Sequence, residues 1–258
     1  MRLVSVNVNG IRAALRRGGL SWLHAQQPDV IALQEVRASP EELRTALAAG
    51  QFADWHLAHA AAADAGRAGV AILSRQAIAD MRIGLPGFPD AGRWIEAQIG
   101  AVTVISAYVH TGEAGTARQG EKYGFLDAAG TRMAALVDGQ AVLTGDLNVC
   151  HTARDLRNTR GNVGKAGYLP QEQAYLSRWA DAGWVDVVRA RAGDVDGPYT
   201  WWSWRGKAFD NDTGWRIDYQ WASPALAFTL SDTSIGRAAS YAERWSDHAP
   251  VVVDYDLP

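Results

Sequence analysis

Short apolar runs with the alternation or continuous hydrophobicity of β-strands recur along the chain, and four longer stretches have a helical pattern. The runs that predict strands are Arg2–Val8, Asp29–Leu33, Phe52–Ala60, Gly69–Ser74, Arg93–Gln98, Val102–Val109, the apolar part of Ala141–Asn148, Arg216–Ala222 and Val251–Asp254. The stretches that predict helices are Ile11–Gln26, Pro40–Ala49 with Ser39 as its N-cap, Ala117–Val137 and Pro170–Ala182. Hairpins are mixed with alternating strands and helices. This pattern predicts an α/β fold of two packed mixed β-sheets flanked by helices rather than one doubly wound parallel sheet.

The chain of 258 residues has no internal repeat and no linker long enough to separate two parts, so we expect a single domain over residues 1–258. Cys150 is the only cysteine, which excludes an internal disulfide and a cysteine-cluster metal site and favours a reducing compartment, the cytoplasm. The N-terminal residues run directly into a strand pattern without the features of a signal peptide, and no apolar run has membrane-spanning length.

Polar side chains recur where the predicted strands end. They are Asn7, Glu35, Tyr108, Asp146, Asn148, Asp218, Asp247 and His248. Each one alone has a simpler explanation as a turn former, a surface carboxylate or a capped histidine, but together they indicate a reaction centre. The set contains no thiol or obvious serine nucleophile, and carboxylates and amides are the hard oxygen ligands that Mg²⁺ and Mn²⁺ prefer. It therefore predicts metal-assisted attack by water on a phosphorus ester.

The segment Ala141–Asn148 (AVLTGDLN) is the centre of this set. If its apolar part is a buried strand, Gly145 lets the backbone turn tightly, and Asp146 and Asn148, two positions apart, project to the same side. We therefore expect Asp146 to be the residue whose substitution tests the hypothesis most directly.

Five short segments, in this order and at these intervals, resemble the exonuclease III family of apurinic/apyrimidinic (AP) endonucleases. They are VNVNG at 6–10, ALQE at 32–35, GDLN at 145–148, WRIDY at 215–219 and SDHAP at 246–250. The glutamate, GDxN and SDH motifs are shared with the wider superfamily of endonucleases, exonucleases and phosphatases, whereas NVNG, WRIDY and the segment 155–170 are typical of the abasic-site repair branch. The resemblance covers nearly the whole chain and implies a four-layered α/β sandwich.

Carried over residue by residue, the resemblance implies that Glu35 binds the metal ion, with Asn7 and Asp247 close to the ion or linked to it through water. Asp146 would orient or deprotonate the attacking water, and Asn148 would hydrogen-bond that water or a phosphate oxygen.

The resemblance also implies that His248, oriented by Asp218, donates to a non-bridging oxygen as negative charge builds, and that Tyr108 lies at the scissile phosphate as a ligand or proton donor. The ion would offset charge on the leaving 3′ oxygen, so the products would carry a 3′-hydroxyl and a 5′-phosphate.

Five of the eleven tryptophans lie in Thr200–Trp221. By resemblance, Trp201, Trp215 and Ile217 form a small hydrophobic pocket that receives a flipped-out, base-free deoxyribose and excludes intact nucleotides by size. Core packing is the simpler explanation for the three other tryptophans of this segment, which are Trp202, Trp204 and Trp221.

The stretch from Arg154 to Lys165 has a local excess of basic residues in a chain of formal net charge −3. A solvated loop is the simpler interpretation, but the resemblance implies that Arg154, Arg157 and Arg160 contact DNA phosphates without reading bases.

The chain departs from the family pattern after Tyr108 and at position 37, and the loop between His110 and Tyr123 aligns poorly with it, so no residue that wedges into the duplex is carried over. After Tyr108, many relatives have proline and then asparagine or glutamine, whereas this chain has Val109, His110 and Thr111, which puts a side-chain amide contact to DNA in doubt. Arg37 stands where relatives usually have lysine after the glutamate.

The leading hypothesis is a Mg²⁺-dependent DNA repair nuclease, with Mn²⁺ as a substitute, that cuts the phosphodiester 5′ to an abasic site and also trims 3′ ends. Its partner would be double-stranded DNA with abasic sites or blocked 3′ ends, and we expect a monomer that does not act at a membrane. Two alternatives stay open: another phosphoesterase of the superfamily, such as a phosphoinositide phosphatase or sphingomyelinase, and a catalytically silent DNA-binding module.

Overall fold

The computed structural model describes residues 1–64 and 66–257. The strands are β1 (Arg2–Asn7), β2 (Val30–Gln34), β3 (His56–Ala60), β4 (Val70–Ser74), β5 (Ile78–Ile83), β6 (Trp94–Ile99), β7 (Val102–Tyr108), β8 (Ala141–Asp146), β9 (Val185–Asp186), β10 (Asp218–Ala222), β11 (Leu230–Ile235) and β12 (Val251–Tyr255). The helices are α1 (Ile11–Arg16), α2 (Gly19–Ala25), α3 (Pro40–Ala49), α4 (Ala117–Ala134), α5 (Pro170–Asp181), α6 (Val187–Ala192) and α7 (Pro224–Ala227).

The strands form two six-stranded mixed sheets. Sheet A has the order β11-β12-β1-β2-β4-β3, and sheet B has the order β5-β6-β7-β8-β10-β9. In each sheet one parallel pair, β1 with β2 and β7 with β8, lies beside antiparallel neighbours. The C-terminal ends of these four strands and the N-terminal end of β10 therefore lie at the same edge of the sandwich.

Three apolar layers hold the structure together. One lies between the two sheets, a second lies between sheet A and helices α1 to α3, and a third lies between sheet B and helices α4 and α5. The order helix, sheet, sheet, helix is a four-layered α/β sandwich, so the predicted fold is confirmed. Burial of these apolar side chains is the main favourable term in folding.

Helix α3 has the predicted limits because its signals are local. Ser39 accepts from the backbone N–H of Glu42 (3.2 Å), the Glu42 carboxylate accepts from the Ser39 N–H (2.9 Å), and Pro40 occupies the first turn.

The prediction of one helix over Ile11–Gln26 is wrong. Helix α1 ends at Arg16 and α2 begins at Gly19, because Gly18 adopts a left-handed conformation with φ of 82°. Strand β5 was missed, since it is a sheet edge whose side chains are mostly exposed and it lacks the apolar pattern of a buried strand.

Candidate active site

Strand register brings three predicted site residues to the same level of sheet B. Asp146, the last residue of β8, lies opposite Tyr108 of β7 on one side and Asp218 of β10 on the other. Gly145 precedes it with φ of 136°, and a Cβ at that position would lie 2.0 Å from the carbonyl oxygen of Ala107. Only glycine fits there, so the close approach of β7 and β8 at the site requires this residue.

Asn7 connects the two sheets at the site. Its Nδ2 donates to Glu35 Oε1 (2.8 Å) and to Asp146 Oδ2 (2.9 Å). Glu35 follows β2 with φ of 49°, outside the strand region, and also forms an ion pair with Arg37. A glutamate in the left-handed region costs energy, and such strain is commonly found at functional sites.

His248 and Asp218 form a buried pair. The His248 Nδ1 lies 2.9 Å from Asp218 Oδ2, and its Nε2 lies 3.7 Å from Asp146 Oδ2. Thr200, which sequence reasoning missed, holds the carboxylate: its hydroxyl donates to Asp218 Oδ2 at 2.6 Å. The ring of His248 is therefore fixed with Nε2 directed toward Asp146.

The electrostatics of the site follow from this burial. Burial alone would lower the pKa of His248, but the charges of Asp218 and Asp146 raise it to about 10, so the ring is an imidazolium at neutral pH. Burial, together with the charges of Asp218 and Glu35, raises the pKa of Asp146 to about 8. Burial and the nearby Glu35 and Asp146 also raise the pKa of Tyr108.

Asn148 lies beside Asp146 and is held at several atoms. Its backbone N–H donates to Asp146 Oδ1 (2.9 Å), and its Nδ2 donates to Asp146 Oδ2 (3.1 Å) and to the carbonyl oxygen of Val109 (2.8 Å). The Thr111 hydroxyl donates to Asn148 Oδ1 (3.1 Å), and Lys122 Nζ donates to the Asn148 carbonyl oxygen (2.8 Å). Its side-chain amide is thus held beside Asp146.

Asp247, the third predicted metal residue, is connected to the rest of the site by neutral donors. Asn9 Nδ2 donates to Asp247 Oδ1 (2.8 Å), and the backbone N–H of Asn9 donates to Asn7 Oδ1 (3.0 Å). The indole N–H of Trp201 donates to Asp247 Oδ2 (3.1 Å). Burial opposes the charged form of Asp247, but the charge of His248 and these hydrogen bonds lower its pKa.

The donor set fits a divalent cation. The carboxyl groups of Glu35 and Asp146 both face the side-chain amide of Asn7. Asp146, Asp218 and His248 also have potential ligand atoms within 4.8 Å of one another. Because an imidazolium held by a carboxylate cannot act as a metal ligand, the carboxylate oxygens on the Glu35 side are the donors that could hold such an ion.

The three residues predicted to form the sugar pocket lie together beside the His248–Asp218 pair. Trp201 and Trp215 pack edge to face with ring centroids 6.1 Å apart, and both join a cluster with buried Ile217. The Trp201 ring also lies 6.5 Å from that of His248. The structure therefore brings the three pocket residues together next to the proposed catalytic histidine.

Cys150 belongs to the same apolar cluster and is fully buried. Its thiol donates to the carbonyl oxygen of Asp155 (3.2 Å), and burial raises its pKa, so it behaves as a small apolar side chain.

The remaining tryptophans of the segment differ in their environments. Trp202 and Trp221 are buried in the core, in agreement with the simple packing explanation. Trp204 is only half-buried and lies against the guanidinium of Arg244, 4.2 Å from the ring centroid to the Arg244 Cζ. Core packing therefore does not describe Trp204, which takes part in a cation–π contact.

The basic segment lies on the surface, but two of its arginines have acidic neighbours. Arg154 forms ion pairs with Asp194 and Asp196, and Arg157 Nη1 lies 3.8 Å from Asp196 Oδ2. Arg160 is exposed in a short 3₁₀ turn. The local positive charge is therefore smaller than the sequence of the segment alone indicates.

His110, at the position where relatives have a different pattern, is buried. Its Nδ1 lies 2.9 Å from Arg93 Nη1 and its Nε2 lies 3.1 Å from the carbonyl oxygen of Arg118. The side chain connects the end of β7 to helix α4.

Sequence reasoning also missed a buried ion pair behind Asn148. Lys122 Nζ lies 2.6 Å from Glu172 Oε1 with no exposure of either side chain, and Glu172 Oε2 accepts from the backbone N–H groups of Gly167 (2.6 Å) and Leu169 (3.1 Å). No sequence pattern predicts this ion pair, because its members lie fifty positions apart on two amphipathic helices.

Similarity to known proteins defines the class to which this chain belongs. The model of the endonuclease/exonuclease/phosphatase family matches residues 4–248, and the chain belongs to that family. Within it, relatives named as exodeoxyribonuclease and as AP endonuclease support the exonuclease III type of AP endonuclease, so the resemblance seen in the sequence is confirmed.

An exodeoxyribonuclease of Bacillus subtilis (strain 168) is 34% identical over 255 residues, which cover 97% of this chain and 98% of that protein. The DNA repair nuclease APEX1 of Danio rerio is 31% identical over 257 residues, covering 98% and 81%. Among solved structures, a 3′ phosphatase, NExo, from Neisseria bound to a product DNA hairpin has a TM-score of 0.88 at 30% identity, with all of both chains covered. An AP endonuclease from Archaeoglobus fulgidus has a TM-score of 0.86 at 27% identity, again over both whole chains.

Among the helices that the structure describes, none combines the length and hydrophobicity needed to span a bilayer.

Proposed function

We propose that this chain is a metal-dependent DNA repair nuclease that hydrolyses the phosphodiester 5′ to an abasic site, leaving a 3′-hydroxyl and a 5′-phosphate. The observation that carries the proposal is the buried His248–Asp218 pair beside Asp146, directly next to the pocket of Trp201 and Trp215. The proposed centre for water attack and the residues proposed to receive a base-free sugar then lie side by side. Relatives named as an exodeoxyribonuclease and a DNA repair nuclease support the same substrate class.

In the proposed mechanism, Asp146 and Asn148 orient the attacking water, and Asp146 removes its proton. A carboxyl pKa of about 8 in the metal-free protein suits this role, because an effective general base has a pKa near the working pH. His248 Nε2, as part of an imidazolium, donates to a non-bridging phosphate oxygen as negative charge develops. Tyr108 lies at the scissile phosphate.

Glu35, with Asn7 and Asp247 around it, would hold a Mg²⁺ or Mn²⁺ ion. When bound, the ion would offset negative charge on the leaving 3′ oxygen. Exposed Arg157 and Arg160 would contact DNA phosphates, and these contacts would be sensitive to salt. We further propose a monomer that acts in the cytoplasm, in keeping with the single, buried cysteine.

Removal of blocking groups at 3′ ends is the second candidate activity, favoured by the similarity to the Neisseria 3′ phosphatase.

The test compares a duplex with one synthetic abasic site, an undamaged duplex with a recessed 3′ end and a duplex with a 3′-phosphate, each with Mg²⁺ and with chelator. We expect incision of the abasic duplex that chelator abolishes, and loss by about 10²–10⁴-fold in Asp146→Asn without loss of the fold. Turnover of a phosphoinositide or sphingomyelin without DNA cleavage would refute the proposal, and DNA binding without chelator-sensitive turnover would indicate a silent DNA-binding module.

A further inference from the structure

The residues of the active site come from both sheets, so their geometry depends on the separation of the sheets. Asn7 lies in β1 of sheet A, and His248 lies in the loop just before β12 of the same sheet. Asp146 and Asp218 lie in β8 and β10 of sheet B. The contacts Asn7–Asp146 and His248–Asp218 both cross between them. A small change in sheet separation would alter both contacts.

Most side chains between the two sheets do not fix the distance between the sheets. Apart from Tyr255, the buried members of the cluster there are aliphatic, and apolar packing depends on area and shape rather than on particular atom pairs.

The inward-facing side chains of these strands change in polarity toward the site. In β1 the order is Leu3, Ser5, Asn7; in β7 it is Val104, Ser106, Tyr108; in β8 it is Val142, Thr144, Asp146; and in β10, read backwards, it is Ala222, Gln220, Asp218. Because side chains two apart share a face, each strand has an apolar residue deep in the sandwich, then a neutral polar residue, then a site residue. The polar layer is fully buried.

Two residues of this polar layer, Ser106 and Gln220, form hydrogen bonds from sheet B to sheet A. Gln34 of β2 donates through Nε2 to Ser106 Oγ of β7 (3.0 Å), and the Ser106 hydroxyl donates to the Leu33 carbonyl oxygen (3.0 Å). These two bonds join sheet A to sheet B directly below Glu35 and Tyr108.

A second connection lies below Asp218. Gln220 of β10 donates through Nε2 to the carbonyl oxygens of Leu3 and Val251 in sheet A, both at 3.2 Å, and its Oε1 accepts from the Tyr255 hydroxyl (3.3 Å). One glutamine on each sheet therefore bonds to the opposite sheet.

We propose that Gln34, Ser106 and Gln220 are positioning residues that hold the two halves of the active site at one separation, an inference that rests on the proposed function. Buried neutral hydrogen bonds contribute little net stability, and apolar side chains of the same shape could fill the space. What these hydrogen bonds add is a fixed distance between the atoms they join, since a hydrogen bond keeps its length within a few tenths of an ångström. A displacement near 1 Å at a catalytic centre can cost about 10²-fold in rate.

The test uses a matched pair of buried serines. Ser106→Ala removes two hydrogen bonds between the sheets. Ser223→Ala also removes two bonds of a fully buried serine, one from the Ala141 N–H (3.0 Å) and one to the Gly139 carbonyl oxygen (2.7 Å), but at the opposite end of sheet B and without connecting the sheets.

We expect both variants to lower Tm by similar amounts, about 2–4 °C per lost kcal/mol in a domain of this size. Only Ser106→Ala should lower kcat on the abasic duplex, by about 10–100-fold, with KM within about twofold of the wild type. Gln34→Met and Gln220→Met should behave like Ser106→Ala. Equal kcat values in Ser106→Ala and Ser223→Ala would overturn the proposal. If Ser106→Ala does not fold, Ser106→Cys and Gln34→Met provide the same comparison.

A thermal-unfolding cycle tests the connection without relying on activity. The double variant Gln34→Met/Ser106→Ala should lose less Tm than the sum of the two single losses, because both remove the same bond. Additive losses would show that the connection does not exist in solution. If the wild-type chain does not cut the abasic duplex, the proposed function fails while this cycle still decides whether the sheets are connected.

Discussion

Asp218→Asn is the substitution that tests the electrostatics of the site most directly. The Asp218 carboxylate lies 2.9 Å from His248 Nδ1 inside the protein, and the asparagine keeps the shape of the side chain while removing its charge. The structure therefore predicts that His248 will lose much of the stabilisation of its imidazolium form.

The size of the effect follows from the raised pKa. A change from 6.5 to about 10 corresponds to about 5 kcal/mol in favour of the charged ring, supplied by Asp218, Asp146 and Asp247 against the cost of burial. An opposite charge this close contributes about 1–3 pKa units. We expect the His248 midpoint in Asp218→Asn to fall by that amount in the metal-free protein.

The charge of His248 also makes the stability of the folded protein depend on pH. Because the folded pKa of His248 lies above its unfolded value, stabilisation by the imidazolium is fully present below about pH 6.5 and is lost as pH rises to about 10. The stability advantage of the wild type over Asp218→Asn that comes from this charge should therefore shrink between these two pH values.

The assay is an NMR titration of the six histidines in chelator-treated protein from pH 5 to pH 11, with the His248 signal assigned from its loss in His248→Gln. The other five histidines serve as internal controls, because they should keep their midpoints in Asp218→Asn. In parallel, kcat on the abasic duplex should fall by about 10²–10⁴-fold, the usual contribution of a positioned proton donor. A wild-type midpoint near 6.5, or an unchanged midpoint in the variant, would refute the reasoning.

Two further predictions concern stability around the site. Lys122→Met leaves the Glu172 carboxylate buried without its partner and should destabilise the fold by about 3–5 kcal/mol in urea unfolding, whereas Lys122→Met/Glu172→Gln should recover most of the loss; equal stabilities of the two variants would contradict this. Gly145→Ala forces a Cβ toward the Ala107 carbonyl oxygen, so it should cost more than about 1 kcal/mol and lower incision by displacing Asp146; wild-type stability and kcat in this variant would show that β7 and β8 can separate without penalty.

Elements with local signals could be predicted closely from the sequence. Helix α3 has the predicted limits because Ser39, Pro40 and Glu42 determine its start through contacts within four residues. Strand β5 was missed because its pairing partner, and not its own pattern, makes it a strand. The break at Gly18 was missed because the apolar positions of residues 11–26 keep a helical spacing on both sides of it. A single residue in the left-handed conformation does not interrupt that spacing.

In the active site, too, the features that depend on local sequence could be predicted, and the contacts between distant residues could not. The sequence determined which side chains stand at the strand ends, because alternation along a strand and an abrupt polar end are local properties, and it thereby identified Asp146, Asp218 and His248. Only the tertiary structure decided how they are held. The Thr200 hydroxyl on Asp218 and the Gln34–Ser106 connection join positions 18 and 72 residues apart, and no local pattern encodes such pairs. The physical reason is that a hydrogen bond between sheets exists only after apolar burial has brought the two sheets together.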